Sequence, residues 1–199
     1  MVFGVDMPYP HYRCPVCGKE LPLTEARMTV TCAEHEPAEP PAAFTVREVT
    51  SADKSGIEEI CDRAWGETLV DSFGKTFDVL SAENIVAEAG GELAGLVSLA
   101  ADGGELTMVL LSVYPQYQGS GIGSALIEAA VASAVKRNLP SVKVAVGNDD
   151  ISSLYFYQRH GFVIFDVAIG VLADKLGSAS PGFAGIPTRD EVRLRRPAC

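Results

Sequence analysis

Apolar and polar positions alternate along most of the chain, and the period of the alternation changes from segment to segment. Residues 44–49 alternate with a period of two and predict a strand, while Ile57, Ile60, Cys61 and Ala64 recur at helical spacing. Residues 85–89, 93–100 and 105–113 predict three more strands. Gly90-Gly91 joins the first two and Asp102-Gly103-Gly104 the next two, both compositions that favour hairpins. Beyond them Ile122, Ala125, Leu126, Ala129 and Ala130 follow i, i+3, i+4, i+7, i+8, a helix with one apolar stripe that stops near Asn138 and Pro140. Residues 141–146 alternate again as a strand. Asp149 or Asp150 then caps a short helix ending at His160-Gly161, with glycine placed to close the last turn. A meander followed by helix, strand and helix is a mixed α/β arrangement.

The segment between the third strand and the long helix carries the first candidate chemistry. It reads Gln118-Gly119-Ser120-Gly121-Ile122-Gly123-Ser124. Glycines at 119, 121 and 123 let the backbone approach a ligand, and the unpaired N–H groups of the helix start make a site suited to a pyrophosphate. The spacing is not G-x-G-x-x-G, no acidic residue follows where a dinucleotide fold needs one, and no Gly-Lys-Ser/Thr is present. Dinucleotide and Walker-type binding are thereby disfavoured.

The first forty residues follow a different logic. Cys14-Pro-Val-Cys17, fourteen intervening residues beginning with Gly18, and Cys32-Ala-Glu-His35 read as CxxC…CxxH. Each two-residue gap lets one knuckle of backbone present two side chains to one ion, and four such ligands close a tetrahedron around a structural zinc. Residues 1–36 are therefore read as a zinc-ribbon-like module, with His11 a spare imidazole nearby. Residues 37–43, rich in proline and alanine, form the linker, and residues 44–199 the main domain.

Composition narrows the partners. The 199 residues carry a formal charge of -10 and a pI near 4.7, which argues against nucleic acid and suits cationic partners. No uncharged apolar run approaches the roughly 20 residues that cross a bilayer, and the start lacks a basic segment before an apolar one. Five cysteines, three of them before residue 33, do not look like a disulfide framework, so a reducing cytoplasm is expected.

Gln118-x-x-Gly121-x-Gly123, a strand ending in Asn148, and Phe156-Tyr157-Gln-Arg-x-Gly161-Phe162 together resemble the GNAT acetyltransferase superfamily over residues 44–172. The tail from Gly185 to Val192 is similar to the end of a bacterial GNAT subgroup. The resemblance implies a mixed, twisted sheet split into a V by a bulge at residues 111–113. It implies transfer of an acetyl group from acetyl-CoA to a primary amine, on a small molecule or a basic peptide, by direct attack in a ternary complex. Leu111, Ser112 and Val113 would line the cofactor, with the Val113 N–H on the acetyl carbonyl oxygen. Gln118, Gly119, Ser120, Gly121, Ile122, Gly123 and Ser124 would hold the pyrophosphate, and Asn148 the pantetheine. Tyr157 would protonate the departing thiolate. Relatives often carry a basic residue in the glycine loop, where this chain has Gly119 and Ser120.

For a general base the usual register falls on Thr107, which cannot serve. Glu105, two residues earlier on the same strand face, is the candidate. Asp190 and Glu191 are further acidic candidates, and Trp65, Glu67 and Asp71 are candidates for the amine side. A homodimer is compatible with this reading. The alternative function is an acetyl-CoA-binding sensor or adaptor without turnover.

Overall fold

A computed structural model describes residues 12–13, 20–21, 43–177 and 180–198. Two short strands come first, β1 (Tyr12–Arg13) and β2 (Glu20–Leu21), paired antiparallel. The main domain follows: β3 (Phe44–Glu48), α1 (Lys54–Trp65), β4 (Leu69–Ser72), β5 (Lys75–Asp78), β6 (Glu83–Ala89), β7 (Glu92–Asp102), β8 (Glu105–Val113) and α2 (Ile122–Lys136). After them come β9 (Ser141–Gly147), α3 (Ile151–Arg159), β10 (Val163–Ala168), α4 (Val171–Leu176), β11 (Ser180–Pro181), β12 (Pro187–Thr188) and β13 (Glu191–Pro197). Seven strands form one sheet in the order β10-β13-β9-β8-β7-β6-β3. The expected mixed α/β architecture is present, and every pairing in that sheet is antiparallel except β8 with β9.

Two apolar layers hold the sheet. Ile122, Leu126, Ile127, Ala130 and Ala134 of α2, with Tyr157 of α3 and Phe162, pack on one face against Val97, Leu99, Leu106, Met108, Val142 and Val144. Ile57, Ile60 and Cys61 of α1 pack on the other against Val86, Leu96, Val109 and Leu110. The stripe that predicted α2 is thus its buried face.

The sheet opens in the middle. Pairing of β8 with β9 is confined to Leu106↔Val142 and Thr107↔Lys143, while β8 stays paired with β7 as far as Val113. A bulge in β8 accompanies the opening. Ser98 faces Leu110 and Leu99 faces Met108, so Val109 is the extra residue. The expected bulge at residues 111–113 is therefore corrected to Val109. Side-chain direction explains why alternation misled there. Leu106 and Met108 point to the α2 layer, Val109 and Leu110 both point to the α1 layer, and Leu111 and Val113 return to the α2 layer. All six are apolar, so the slip of one residue leaves no trace in the hydropathy pattern.

The β4–β5 hairpin is an element the sequence reading did not predict. Its turn residues Phe73 and Gly74 both have positive φ, 54° and 71°, the geometry of a tight two-residue hairpin. Phe73 occupies a position usually filled by Asn or Gly, which hides the turn signal. Contacts offset the strain: its N–H donates to Glu191 Oε2 at 3.3 Å, and Lys143 and Arg193 lie 4.5 and 5.3 Å from its ring centroid.

Candidate active site

The gap between β8 and β9 is a cavity of about 260 Å³. Met108 to Leu111 form one wall and Val144 to Gly147 the other. Asp150, Ser153 and Tyr157 of α3 close one end, with Val70, Asp71 and Ser72 of β4, Leu172 of α4 and Glu191 of β13 around the rest. Six separate elements meet there, because two strands that part company leave backbone and side chains facing each other with nothing between.

The strand edge also presents backbone groups. The Tyr114 N–H donates to Ala94 O at 3.0 Å, toward β7. Successive residues of a strand alternate their N–H and C=O directions, so those of Val113 and Leu111 face away from β7, into the gap. The Val113 carbonyl confirms that direction by accepting the Gln118 side-chain amide at 3.0 Å.

The glycine loop follows β8 through the turn at residues 115–117, and Gln118 ties it back to the end of that strand. Gly119 and Gly121 have φ of 80° and 88°, and a Cβ built on either meets nothing within 4 Å. The turn is left-handed and its outer side is open. Gly121 is the N-cap of α2 and has no side chain to satisfy the first helical N–H groups. Ser120 Oγ donates to Tyr117 O at 2.5 Å and shapes the same turn. Gly123 serves packing: a Cβ there would stand 3.0 Å from the Phe156 ring, so glycine lets α3 lie close to α2. Ser124 Oγ lies 2.8 Å from His160 Nε2, and His160 Nδ1 lies 2.7 Å from the Phe156 carbonyl. That carbonyl can only accept, so Nδ1 carries a proton and donates to it.

Tyr157 is buried among Met108, Phe156 and Phe162, its hydroxyl 4.0 Å from the Met108 sulfur. Burial, and secondly the charge of Asp150, push the phenol well above the ordinary tyrosine range. It stays protonated and can donate.

The acidic candidates separate. Glu105 does not line the cavity. It sits at the closed end of β8, where Arg195 pairs with it at 2.6 Å and the Ser141 hydroxyl donates to it. The carboxylate expected as general base thus stands apart from the acids that line the cavity. Glu191 and Asp71 do line the cavity. Glu191 is 5% exposed and also accepts from Arg193 Nε at 2.8 Å. Asp71 pairs with Lys175 at 2.6 Å, and Lys175 followed by Thr76 holds its carboxyl below the usual range. Asp150, which the sequence reading cast only as a helix cap, does cap α3 through Ser153 N at 3.0 Å, and it lines the cavity as well. Asp190 is spent on Arg189 and the Gly170 N–H. Glu67 is exposed outside the cavity lining, and the Trp65 side chain lies outside the described residues.

Asn148 is committed elsewhere than expected. Its amide donates to Pro187 O at 2.9 Å and its oxygen accepts the N–H groups of Arg189 and Asp190, both at 2.8 Å. It fastens the end of β9 to the segment entering β13, and so fixes where Glu191 stands. Its pull on the far chain could not be seen in sequence, since the partners lie about forty residues away.

Cys14, Cys17, Cys32 and His35 lie outside the described residues, as do residues 37–42 of the linker. Among the described residues no group of three metal-ligating side chains is found, and no helix is long and apolar enough to cross a membrane.

Comparison with known proteins adds the family. The acetyltransferase (GNAT) family model matches residues 52–162. The fold is similar to that of the IAA acetyltransferase from Bacillus cereus ATCC 14579, at 23% identity and a TM-score of 0.62, covering 78% of this chain and 99% of that one. It is similar to a GNAT family acetyltransferase from Elizabethkingia anophelis with acetyl-CoA bound, at 19% identity and 0.59, covering 78% and 99%. The ribosomal-protein-S18-alanine N-acetyltransferase from Escherichia coli is similar at 18% and 0.58, covering 78% and 94%.

Proposed function

Because the chain belongs to the acetyltransferase (GNAT) family and is an acyltransferase, we propose that it moves an acetyl group from acetyl-CoA to a primary amine, on a small molecule or a protein, by direct transfer in a ternary complex. The observation that carries the reading is the cavity between β8 and β9, where an inward-facing backbone edge, a buried protonated tyrosine and carboxylates converge.

Each group has a part in that chemistry. The open turn at Gly119–Gly121 and the first N–H groups of α2 suit the pyrophosphate of coenzyme A. Positive charge comes there from the helix start, since the loop has no basic side chain. The reading assigns the Val113 N–H, which faces away from β7, to the carbonyl oxygen, where negative charge grows as the amine nitrogen bonds to the acetyl carbon. The carbon–sulfur bond then breaks with its electron pair going to sulfur, and the Tyr157 hydroxyl supplies the proton. At the other end the carboxylates of Asp71, Asp150 and Glu191 attract the ammonium and take up the proton it sheds before attack, and the second proton lost by the nitrogen restores the Tyr157 hydroxyl. Overall an ammonium and a thioester give an amide, a thiol and one released proton.

The test is thiol release from acetyl-CoA by the purified chain across a panel of small amines and basic peptides, with the acetylated product weighed by mass spectrometry. Acceptor-dependent thiol release is expected. Tight acetyl-CoA binding with no acceptor turned over would favour the sensor instead.

The N-terminal residues fit a structural zinc held by Cys14, Cys17, Cys32 and His35. Support comes from β1 and β2, whose two-residue ladder brackets Cys14-Pro-Val-Cys17-Gly, as a knuckle requires. Elemental analysis of protein purified without chelator should find one zinc per chain, and finding none would remove the assignment.

A further inference from the structure

The β4–β5 hairpin crosses the opening between β8 and β9 and is fastened at both ends. Its root belongs to the α1 layer. Val70 and Phe77 pack against the cluster that holds Val109 and Leu110 of β8, and the Val79 N–H donates to Thr68 O at 2.9 Å. Its tip rests on the far side of the opening, on β9 and β13, and Phe73 makes that contact. Lys143 Nζ of β9 stands 4.5 Å and Arg193 Cζ of β13 5.3 Å from the ring centroid, and the Phe73 N–H donates to Glu191 Oε2 at 3.3 Å. Lys75, two residues on, pairs with Asp102, which also takes Lys143 at 3.0 Å. Between root and tip the hairpin carries Asp71 and Ser72 along the cavity.

The residue at the tip is the wrong one for the turn alone. A two-residue turn with positive φ at both positions favours Asn-Gly, and a bulky side chain there costs backbone strain. Among the described residues Phe73 and Asn138 are the non-glycine residues with positive φ, and asparagine tolerates that conformation. What Phe73 adds over asparagine is its ring, and the ring faces two cations. Backbone strain of this kind, held in place by its surroundings, points to a role for the residue that bears it. We infer that Phe73 is a positioning residue of the acceptor site. It clasps the hairpin across the opening and so sets the separation of the Asp71 and Glu191 carboxylates, which meet a cationic amine under the acetyl-transfer reading on which this inference rests. One residue reaches both acids. Asp71 lies two positions before it on β4, and Glu191 accepts its N–H. Arg193, against the ring, donates to the other Glu191 oxygen at 2.8 Å. Lifting the tip would take from the buried Lys143 ammonium the ring it faces, which opposes opening.

The experiment compares the full chain with Phe73→Asn, which suits the turn and removes the ring, and with Phe73→Tyr, which keeps the ring. Two readouts are taken: steady-state constants with an amine that the panel shows to be turned over, and amide hydrogen exchange across residues 69–78. Phe73→Asn should raise the acceptor KM roughly tenfold, with kcat within about threefold and the acetyl-CoA KM unmoved. It should also speed exchange of the hairpin by on the order of tenfold while β6, β7 and β8 keep their protection. Phe73→Tyr should match the parent in both. Should Phe73→Asn fail to fold by circular dichroism, Phe73→Leu, which keeps apolar bulk without the ring face, should shift both readouts in the same direction and decides instead. Faster exchange with an unchanged acceptor KM would make Phe73 part of the scaffold only and overturn the inference, as would unchanged exchange. Exchange needs no acceptor. A panel in which no amine is turned over therefore removes the acetyl-transfer reading, and the positioning role with it, while exchange still decides whether the clasp exists.

Discussion

The glycine loop and the acid-lined cavity are built from different materials. At the glycine-loop end the groups that can hold a ligand belong to the backbone, and their placement follows from two left-handed glycines and the start of α2. At the acceptor end they belong to side chains: Asp71 from β4, Asp150 from the cap of α3 and Glu191 from β13. The backbone end has no titratable group in its loop, and its positive potential is the fixed partial charge of peptide dipoles. The side-chain end depends on carboxylates that Lys175, Arg193 and the Phe73 N–H hold in position. Changes at the first end should therefore alter acetyl-CoA affinity for any acceptor, and changes at the second should alter acceptors for one cofactor.

The largest effect is expected where the ends meet. Tyr157→Phe keeps the ring and its packing on Met108 and Phe162 but removes the proton. With an accepted amine, kcat should fall by on the order of 10²-fold or more, and acetyl-CoA binding should change little. Equal kcat with chemistry rate-limiting would leave water as the donor. Next comes Ser120→Glu, which sets a negative charge in the loop beside the pyrophosphate. The KM for acetyl-CoA should rise roughly tenfold, equivalent to about 1.4 kcal/mol, with the acceptor KM unmoved. Smaller again is Glu191→Gln. It keeps the hydrogen bond from Phe73 but removes a charge, so kcat/KM for a cationic acceptor should drop several-fold while the acetyl-CoA KM stays put. If both constants moved together in either variant, the division between the ends would be wrong.

The same division explains what could be read from the sequence. The glycine loop, α2 and the Tyr157 helix are local: spacing over fewer than twenty residues sets each, and each lies where the pattern put it. The acceptor end joins residues 71, 150 and 191, which only the folded chain brings together. Glu191 is legible as an acid, yet nothing in its sequence neighbourhood shows that β13 slides between β9 and β10. Phe73 concealed the hairpin that carries Asp71. Asn148 was visible as a strand end, and its actual partners, 187, 189 and 190, were not.

Glu105 sharpens the comparison from outside the cavity. It occupies the stretch where β8 and β9 are still paired, two residues on the strand from Thr107. Burial alone would raise its pKa, but the Ser141 hydroxyl and the Arg195 guanidinium together outweigh that, and the carboxyl is held below its ordinary value. A group whose folded pKa is depressed contributes stability above its unfolded pKa and loses it as pH falls through the folded one. Glu105 should thus help to hold the closed end of the V at neutral pH and stop doing so in acid. Glu105→Gln keeps the shape and one hydrogen-bonding oxygen but leaves Arg195 without its counter-charge. The cost should be about 1–2 kcal/mol at pH 7, the range for a hydrogen bond to a charged group that is partly screened by solvent. The deficit against the parent should shrink as pH falls below the glutamate range, where the parent's own carboxyl is protonated. Urea unfolding at pH 7 and at successively lower pH measures both quantities, and kcat at pH 7 should stay within twofold of the parent. A kcat loss at unchanged stability would return Glu105 to the reaction, and would mean that the closed end of the strand pair shares in the chemistry of the open one.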